Sequence, residues 1–362
     1  MIQIKENAYF CVMNPVSARL LGQQLICPQF SAPHEVVRHM GAMQAQDYRM
    51  MQWAAAMRTK VPSAKAFASD YNAGRIVRVH LFRTTWQLVA GEDWAWMLEL
   101  YREKALRLLA GWMKSNGVSI PPSEQESVQR IFADCLSTCR IARKEDLDAA
   151  LRECGIVMDS HRLSYHLHLA EYAGLLCSGD LLPARHSYAL AADKLPKTSP
   201  LLHEEALALL ARKYFSSHGP ATLEDFVWWS GLNVSECRKG MDALGTELVR
   251  QCWRDLAFYC HETGRSRGFR RGGVILLPSF DEYLIGYKSR HIALAPEYRH
   301  RAHNNSGIFW PVVLIDGQVA GNWTIKGGRV QTDFFSPDTA ADHASLQAEM
   351  GRFQDFAVAS TF

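Results

Sequence analysis

One pattern recurs three times along this chain: two amphipathic helical runs, separated by a short turn, lead into a β-rich segment. The copies lie within residues 10–118, 124–196 and 201–263. In each copy, apolar residues recur at helical spacing, and glycine or asparagine marks a turn. Helix, turn, helix and strand is the order of a winged helix-turn-helix, so the recurrence predicts three such units in tandem. Such arrays usually hold nucleic acid, although winged helices also serve protein contacts.

The boundaries of the predicted helices follow from the turn residues. In the first copy, Arg75 to Phe82 is predicted as the second helix, Thr84 to Val89 as a strand and Trp94 to Ala110 as the closing helix. The remaining helices are predicted at Ser63 to Tyr71, Arg143 to Cys154, Arg162 to Tyr172, Leu223 to Trp229 and Val234 to Leu244. The third copy ends in a predicted hairpin, Leu248 to Trp253 with Ala257 to Cys260.

After Gly273 the pattern changes to short apolar runs with period two. Hairpin turns are predicted at Asp316-Gly317 and Gly327-Gly328, and a closing helix within Ala340 to Val358. The predicted fold is therefore mainly α with β (α+β), with three winged units and a C-terminal antiparallel β domain. The predicted boundaries are 1–119, 120–196, 197–268 and 269–362.

Two glutamines and an aspartate interrupt the helical runs between Met40 and Asp47. Gln44 and Gln46 are two positions apart, so their side chains lie about 200° apart on an α-helix but on one side of an extended segment. If the two amides act together, the backbone between them cannot be helical. We therefore predict a non-helical break from Gln44 to Gln46. The alternative is a continuous helix on which both glutamines face solvent.

The mildly basic composition permits a polyanionic partner without requiring one, because the formal net charge is only +3. A glycine-framed loop, 264–273, carries guanidinium groups that can reach DNA phosphates; an ordinary solvated loop is the alternative. The arginines in question are Arg265, Arg267, Arg270 and Arg271.

Several polar residues are interpreted as structural. Nine cysteines without framework spacing indicate reduced thiols, and Cys135 and Cys139 are interpreted as buried structural residues rather than metal ligands. His161, His166 and His168 are interpreted as helix-surface residues without partners, and the alternative is that they face DNA phosphates. The adjacent Asp281 and Glu282 are predicted on a strand, pointing to opposite faces in structural roles. No metal site is expected. The first residues lack a basic and then apolar leader, and long apolar stretches are absent, which predicts a cytoplasmic protein.

Five stretches of the chain together carry a family resemblance. They are Met43 to Asp47, Arg83 to Val89, His218 to Trp229, Leu277 to Leu284 and Gly307 to Pro311. In these stretches the chain resembles the winged-helix DNA-binding family that contains the AlkZ-like and YcaQ-like bacterial DNA glycosylases. The resemblance implies three winged helices around a C-shaped cleft, with a Gln-x-Gln pair at its centre. It also implies hydrolysis of the bond that joins an alkylated purine to deoxyribose.

The resemblance implies roles for individual residues. Gln44 and Gln46 would position water, and Asp47 would assist as a base or by charge, or else only cap the next helix. Three residues of the stretch Arg83 to Val89 would contact DNA, namely Arg83, Thr85 and Gln87. The family commonly has histidine where this chain has Gln87, which puts that position's role in doubt.

The implied protein is a monofunctional hydrolase without metal or organic cofactor. Its expected partner is double-stranded DNA containing alkylated bases, including bulky or cross-linked adducts, and it is expected to be a monomer associated with the nucleoid. Two alternatives stay open: a non-catalytic DNA-binding regulator, and a protein-interaction scaffold. An enzyme of this kind would release a base from alkylated duplex DNA. A regulator would bind DNA in a salt-dependent way without releasing a base, and an interaction scaffold would do neither.

Overall fold

The computed structural model describes residues 14–183, 185–253, 256–264, 273–339 and 341–360. It combines helices with small antiparallel sheets, as the sequence predicts. None of the helices in these ranges is long and apolar enough to cross a membrane. The winged-helix description of the three units and their exact boundaries remain predictions.

The N-terminal part contains a three-stranded sheet in the order β1-β3-β2. Its strands are β1 (Ala42–Gln44), β2 (Ile76–Leu81) and β3 (Thr85–Ala90). The helices are α1 (Pro15–Gly22), α2 (Pro33–Met40), α3 (Met50–Ala56), α4 (Ala64–Asn72) and α5 (Gly91–Ser115). The predicted helices over Ser63 to Tyr71 and Trp94 to Ala110 are confirmed.

The predicted helix from Arg75 to Phe82 is wrong, because this segment forms strand β2. Residues 76–79 and Leu81 are buried, so both faces of the strand are covered. A short apolar run of this kind cannot be assigned to a helix or a strand from periodicity alone. Its β-branched Ile76, Val77 and Val79 favour the strand, which pairs antiparallel with β3 along its whole length.

The second part has its own apolar core beneath three helices. These are α6 (Pro122–Cys139), α7 (Lys144–Glu153) and α8 (Ser160–Tyr172), followed by β4 (Leu176–Ser178), β5 (Tyr188–Leu190) and α9 (Ala191–Lys194). Val128, Phe132, Leu147 and Leu163 belong to that core.

Two interpretations of polar residues in this part are wrong. His166 is buried and its Nε2 lies 2.9 Å from Glu124, while His168 packs against the ring of His80. The reason is that α8 packs on both α6 and β2 instead of presenting a free face. Cys139 is exposed rather than buried, with its Sγ 3.9 Å from that of Cys135.

The third part confirms the predicted helix pair and hairpin. Its elements are α10 (His203–Ser217), α11 (Leu223–Ser230), α12 (Val234–Leu244), β6 (Leu248–Trp253) and β7 (Leu256–His261). The Thr222 hydroxyl caps α11 by accepting from the backbone N–H of Asp225 at 3.1 Å. Gly231 ends the helix with a φ of +68°, in the left-handed region that glycine adopts most easily.

The C-terminal part is a four-stranded antiparallel sheet in the order β11-β10-β9-β8. Its elements are β8 (Val274–Leu277), α13 (Glu282–Ile285), α14 (Arg299–Ala302), β9 (Val312–Ile315), β10 (Gln318–Lys326), β11 (Arg329–Phe334) and α15 (His343–Val358). The predicted β domain and closing helix are confirmed. The core beneath the sheet also includes Leu20 and Trp53 from the N-terminal part, so the two ends of the chain pack together.

Candidate active site

The glutamine segment forms a break between two helices, as predicted. Helix α2 ends at Met40, Gly41 takes a φ of +78°, and α3 begins only at Met50. Between them, β1 pairs antiparallel with β3, which places Gln44 directly opposite Gln87. The backbone N–H of Ala45 continues this pairing by donating to the carbonyl of Trp86 at 2.9 Å. The extended backbone therefore carries the first glutamine at the end of a short strand.

The side chain of Gln44 is buried and fixed by its neighbours on β3. Gln87 donates from Nε2 to Gln44 Oε1 at 3.1 Å and also to Thr85 Oγ1 at 2.9 Å. Gln44 Nε2 lies 3.5 Å from the same hydroxyl oxygen. Gln46, by contrast, is exposed. The two glutamines thus differ: one amide is held inside a polar group, and the other faces solvent.

The backbone of Gln44 is held by a carboxylate from a distant part of the chain. Its N–H donates to Glu282 Oε1 at 2.6 Å. The indole of Trp229 donates to Glu282 Oε2 at 3.1 Å, and His218 Nε2 lies 3.2 Å from that oxygen. Burial lowers the pKa of His218, so the imidazole is neutral near pH 7 and offers its Nε2–H to the carboxylate.

Asp281 and Glu282 are not on a strand, so that part of the prediction is wrong. Asp281 caps the short helix α13 by accepting from the N–H of Tyr283 at 2.9 Å. Its two oxygens also accept from Arg58 Nη1 and Nη2 at 2.9 and 2.8 Å, in a bidentate pair buried from solvent. The helical turn, rather than strand alternation, directs the two carboxylates to different partners.

Asp47 supports the break. Its Oδ1 accepts from the backbone N–H groups of Arg49 and Met50, both at 3.0 Å, at the start of α3. Its Oδ2 accepts from the Ser279 hydroxyl at 2.7 Å. These bonds hold the chain at the start of α3, and a catalytic role of Asp47 stays a prediction.

The predicted DNA-contacting residues lie in different surroundings. Arg83 donates from Nη1 to the carbonyls of Trp228 and Trp229, which joins the β2–β3 turn to α11. Thr85 and Gln87 belong to the polar group around Gln44, in which Gln87 supplies the N–H donors. Contact of these residues with DNA stays a prediction. Arg265, Arg267, Arg270 and Arg271 lie outside the described residues.

A second polar group, which sequence reasoning missed, lies at the contact of β2 with α8. The ligand-type atoms of His80, His168 and Glu171 lie within 4.8 Å of one another, so these three residues could hold a metal ion. His80 Nδ1 is 2.6 Å from Glu171 Oε2. Burial raises the pKa of Glu171, but the nearby His80 and His168 outweigh it and hold that pKa well below its usual range. An ionised carboxylate shared by two histidines accounts for the arrangement.

Glu282 and His218 were also missed as parts of the site, although a signal for them existed. Both lie in stretches that carry the family resemblance, His218 to Trp229 and Leu277 to Leu284. The structure brings these two stretches together behind Gln44. The indication that the two residues belong to the site was that both lie in stretches matching the same family. Their residue types and spacing gave no such indication.

Comparison with known proteins gives consistent results. The AlkZ-like DNA glycosylase family matches residues 37–356. An interstrand DNA cross-link repair glycosylase of Streptomyces sahachiroi is 24% identical over 318 residues, which are 84% of this chain and 85% of that protein. The solved structure of the Streptomyces sahachiroi DNA glycosylase AlkZ has a TM-score of 0.74 at 21% identity, covering 96% of this chain and 97% of that chain. The structural likeness speaks for the fold, and the family match spans most of the chain. The chain therefore belongs to the family of AlkZ-like DNA glycosylases.

Proposed function

We propose that this protein hydrolyses the N-glycosidic bond of alkylated purines in double-stranded DNA, including bulky and interstrand cross-linked adducts. The observation that carries the proposal is the arrangement of Gln44 and Gln46 at the break: a fixed, buried amide next to an exposed one. Family membership supports the reaction class, and the similarity to the interstrand DNA cross-link repair glycosylase of Streptomyces sahachiroi supports cross-linked DNA as a substrate.

The proposed chemistry suits amide side chains. A purine alkylated on its imidazole ring is already cationic, so the bond from the sugar C1′ to nitrogen can break with its electron pair going to the base. The sugar becomes oxocarbenium-like, and water then attacks C1′ and releases a proton to solvent. An amide cannot serve as a base of useful strength, but it can orient water by accepting and donating hydrogen bonds.

In this proposal the two amides hold one water together. Gln87 and Thr85 fix the orientation of the Gln44 amide, so that one water position is set before DNA binds. Gln46 supplies the second amide from the exposed side of the break. Asp47 keeps the break in place through its bonds to α3 and Ser279.

The test is base release from duplex DNA that contains 7-alkylguanine. The wild-type protein should release free alkylguanine, detected by mass spectrometry, and leave an abasic strand that breaks only after added base. The double variant Q44A/Q46A should release far less, while Gln331→Ala, a control at an exposed glutamine on β11, should match the wild type. DNA binding without base release by the wild type would refute the proposal and favour a non-catalytic regulator.

The cross-link part of the proposal has its own assay. A duplex joined by an alkyl interstrand cross-link should yield separated strands on a denaturing gel after incubation and base treatment. Release of 7-alkylguanine without separation of cross-linked strands would restrict the function to single-strand adducts.

A further inference from the structure

Trp228, near the end of α11, is an exposed indole held in a fixed position. It is 38% exposed, whereas its neighbour Trp229 is buried. Its Nε1 donates to the carbonyl of Ile285 at 3.0 Å, which sets the orientation of the ring. A large aromatic face that is both exposed and immobilised can stack on a flat ligand with little loss of side-chain entropy.

Two guanidinium groups flank this indole. The Cζ atoms of Arg83 and Arg290 lie 5.3 and 5.4 Å from the Trp228 ring centroid. Arg83 donates to backbone carbonyls of α11, and Arg290 donates from Nε to the carbonyl of Leu284 at 2.9 Å. These carbonyls carry no full charge, and the carboxylates that act on Arg83 and Arg290 are Glu282 and Asp225, respectively. Two guanidinium charges near one ring favour an anionic ligand.

Electrostatics around Arg290 agree with this geometry. Burial, followed by the charges of Arg299 and Arg83, lowers the pKa of Arg290 to about 10 against the opposing charge of Asp225, and the guanidinium stays charged near pH 7. An arriving phosphate would relieve the repulsion between these cations.

A cavity of about 580 Å³ lies beside the indole. Its apolar lining includes Val227, Leu232 and Val234, and its cationic lining comprises Arg83, Arg238 and Lys288. Glu224 also lines the cavity, but its Oε2 accepts from Lys288 Nζ at 3.1 Å. A lining that combines apolar side chains with cations suits the two parts of a nucleotide, a flat base and a phosphate.

The cavity adjoins the glutamine site through two short connections. Arg83 stands two residues before Thr85, which contacts the Gln44 amide. Trp229, next to Trp228, donates to the same Glu282 carboxylate that holds the Gln44 backbone. The cavity and the glutamine site are therefore supported by neighbouring residues of the same elements.

We propose that this cavity binds an unpaired nucleotide of the DNA, with the base stacked on Trp228 and a phosphate between Arg83 and Arg290. The inference rests on the proposed function in taking DNA as the substrate. It concerns strand binding rather than bond hydrolysis, so binding assays test it independently of base release.

The first test compares undamaged duplexes with and without a single unpaired nucleotide, by fluorescence anisotropy. The wild type should bind the bulged duplex more tightly. Trp228→Ala should weaken binding to the bulged duplex about tenfold, in keeping with base stacking on one aromatic ring, and should leave the paired duplex nearly unaffected. Trp228→Phe should retain the preference because it keeps an aromatic face. The matched control is Trp112→Ala, at an indole of α5 that is 43% exposed, and it should change nothing.

The second test measures the phosphate contact. Arg290→Ala should weaken binding of the bulged duplex and reduce the slope of log K against log salt by about one. A wild type without preference for the bulge would overturn the inference, as would a properly folded Trp228→Ala variant that keeps the preference. Retention of the preference in a protein that releases no base would refute the catalytic proposal alone.

Discussion

Asp281 and Glu282 are adjacent in the chain and are each 3% exposed, yet they connect to different regions of the molecule. Asp281 binds the guanidinium of Arg58, whose Nη2 also donates to Gln23 Oε1 at 3.2 Å, and both of these partners are buried side chains of the N-terminal helical part. Glu282 binds the backbone of the glutamine strand together with Trp229 and His218. Equal burial therefore does not imply an equal role: Asp281 braces the scaffold, and Glu282 braces the site.

The largest expected effect is the loss of stability when the buried Arg58–Asp281 pair is broken. Asp281→Asn leaves the buried Arg58 without a charged partner, which should lower the free energy of unfolding by about 3–5 kcal/mol. Urea denaturation measures this change. The control Arg152→Ala removes the half-exposed pair with Asp148 and should cost at most about 1 kcal/mol. Equal losses in the two variants would mean that the Arg58–Asp281 pair does not brace the fold.

The site side should respond differently. Glu282→Ala leaves the N–H groups of Gln44 and Trp229 without their acceptor, which should cost about 2 kcal/mol of stability. Single-turnover base release should fall about tenfold with DNA affinity unchanged, because the glutamine strand shifts. Glu282→Gln keeps an acceptor oxygen and should recover part of the rate.

The rates distinguish positioning from general destabilisation. At a temperature where both variants are folded, Asp281→Asn should retain a base-release rate closer to the wild type than Glu282→Ala does. The reverse order would contradict the division between scaffold and site.

A smaller effect is expected at Gln87. Gln87→Ala removes the donor to Gln44 Oε1, a contact of about 1 kcal/mol, so base release should fall roughly fivefold. Gln87→His can still present an N–H donor, so it should stay closer to the wild-type rate. Single-turnover rates of the three proteins test this. If Gln87→Ala releases base at the wild-type rate, the Gln44 amide keeps its orientation without the hydrogen bond from Gln87.

The smallest effect is on the pH dependence of stability. Burial lowers the pKa of His218 in the folded protein, so the unfolded state binds more protons once the pH falls below the unfolded value of about 6.5. The contribution to stability is therefore full above that pH and decreases as the pH falls towards the folded pKa. Urea midpoints at about pH 5.5 and about pH 7.5 should differ less in His218→Gln than in the wild type. An unchanged difference would assign the acid sensitivity to other buried histidines, such as His80 and His166.

The sequence predicted those features that depend on local chemistry. Thr222 and Gly231 marked the ends of α11, and the spacing of Gln44 and Gln46 predicted the break between α2 and α3. Strand β2 was mistaken for a helix because a short run that is apolar on both faces has no diagnostic period.

The missed parts of the site depend on long-range contacts. Glu282 reaches the backbone of Gln44 across 238 positions of sequence, and Trp229 reaches Glu282 across 53. Residue spacing carries no information about such contacts, since only the packing of the first, third and C-terminal parts brings these residues together. The neutral state of His218 likewise follows from burial, which the sequence does not display.

The most direct test of the central claim is a double-mutant cycle on the two glutamines. Single-turnover release of 7-alkylguanine from duplex DNA would be measured for the wild type, Gln44→Ala, Gln46→Ala and the double variant. If both amides hold one water, each single change should slow release about 30-fold, or about 2 kcal/mol, and the double variant should be little slower than either. Additive losses would mean that the glutamines act separately, and a double variant that releases base at the wild-type rate would remove the break from the mechanism.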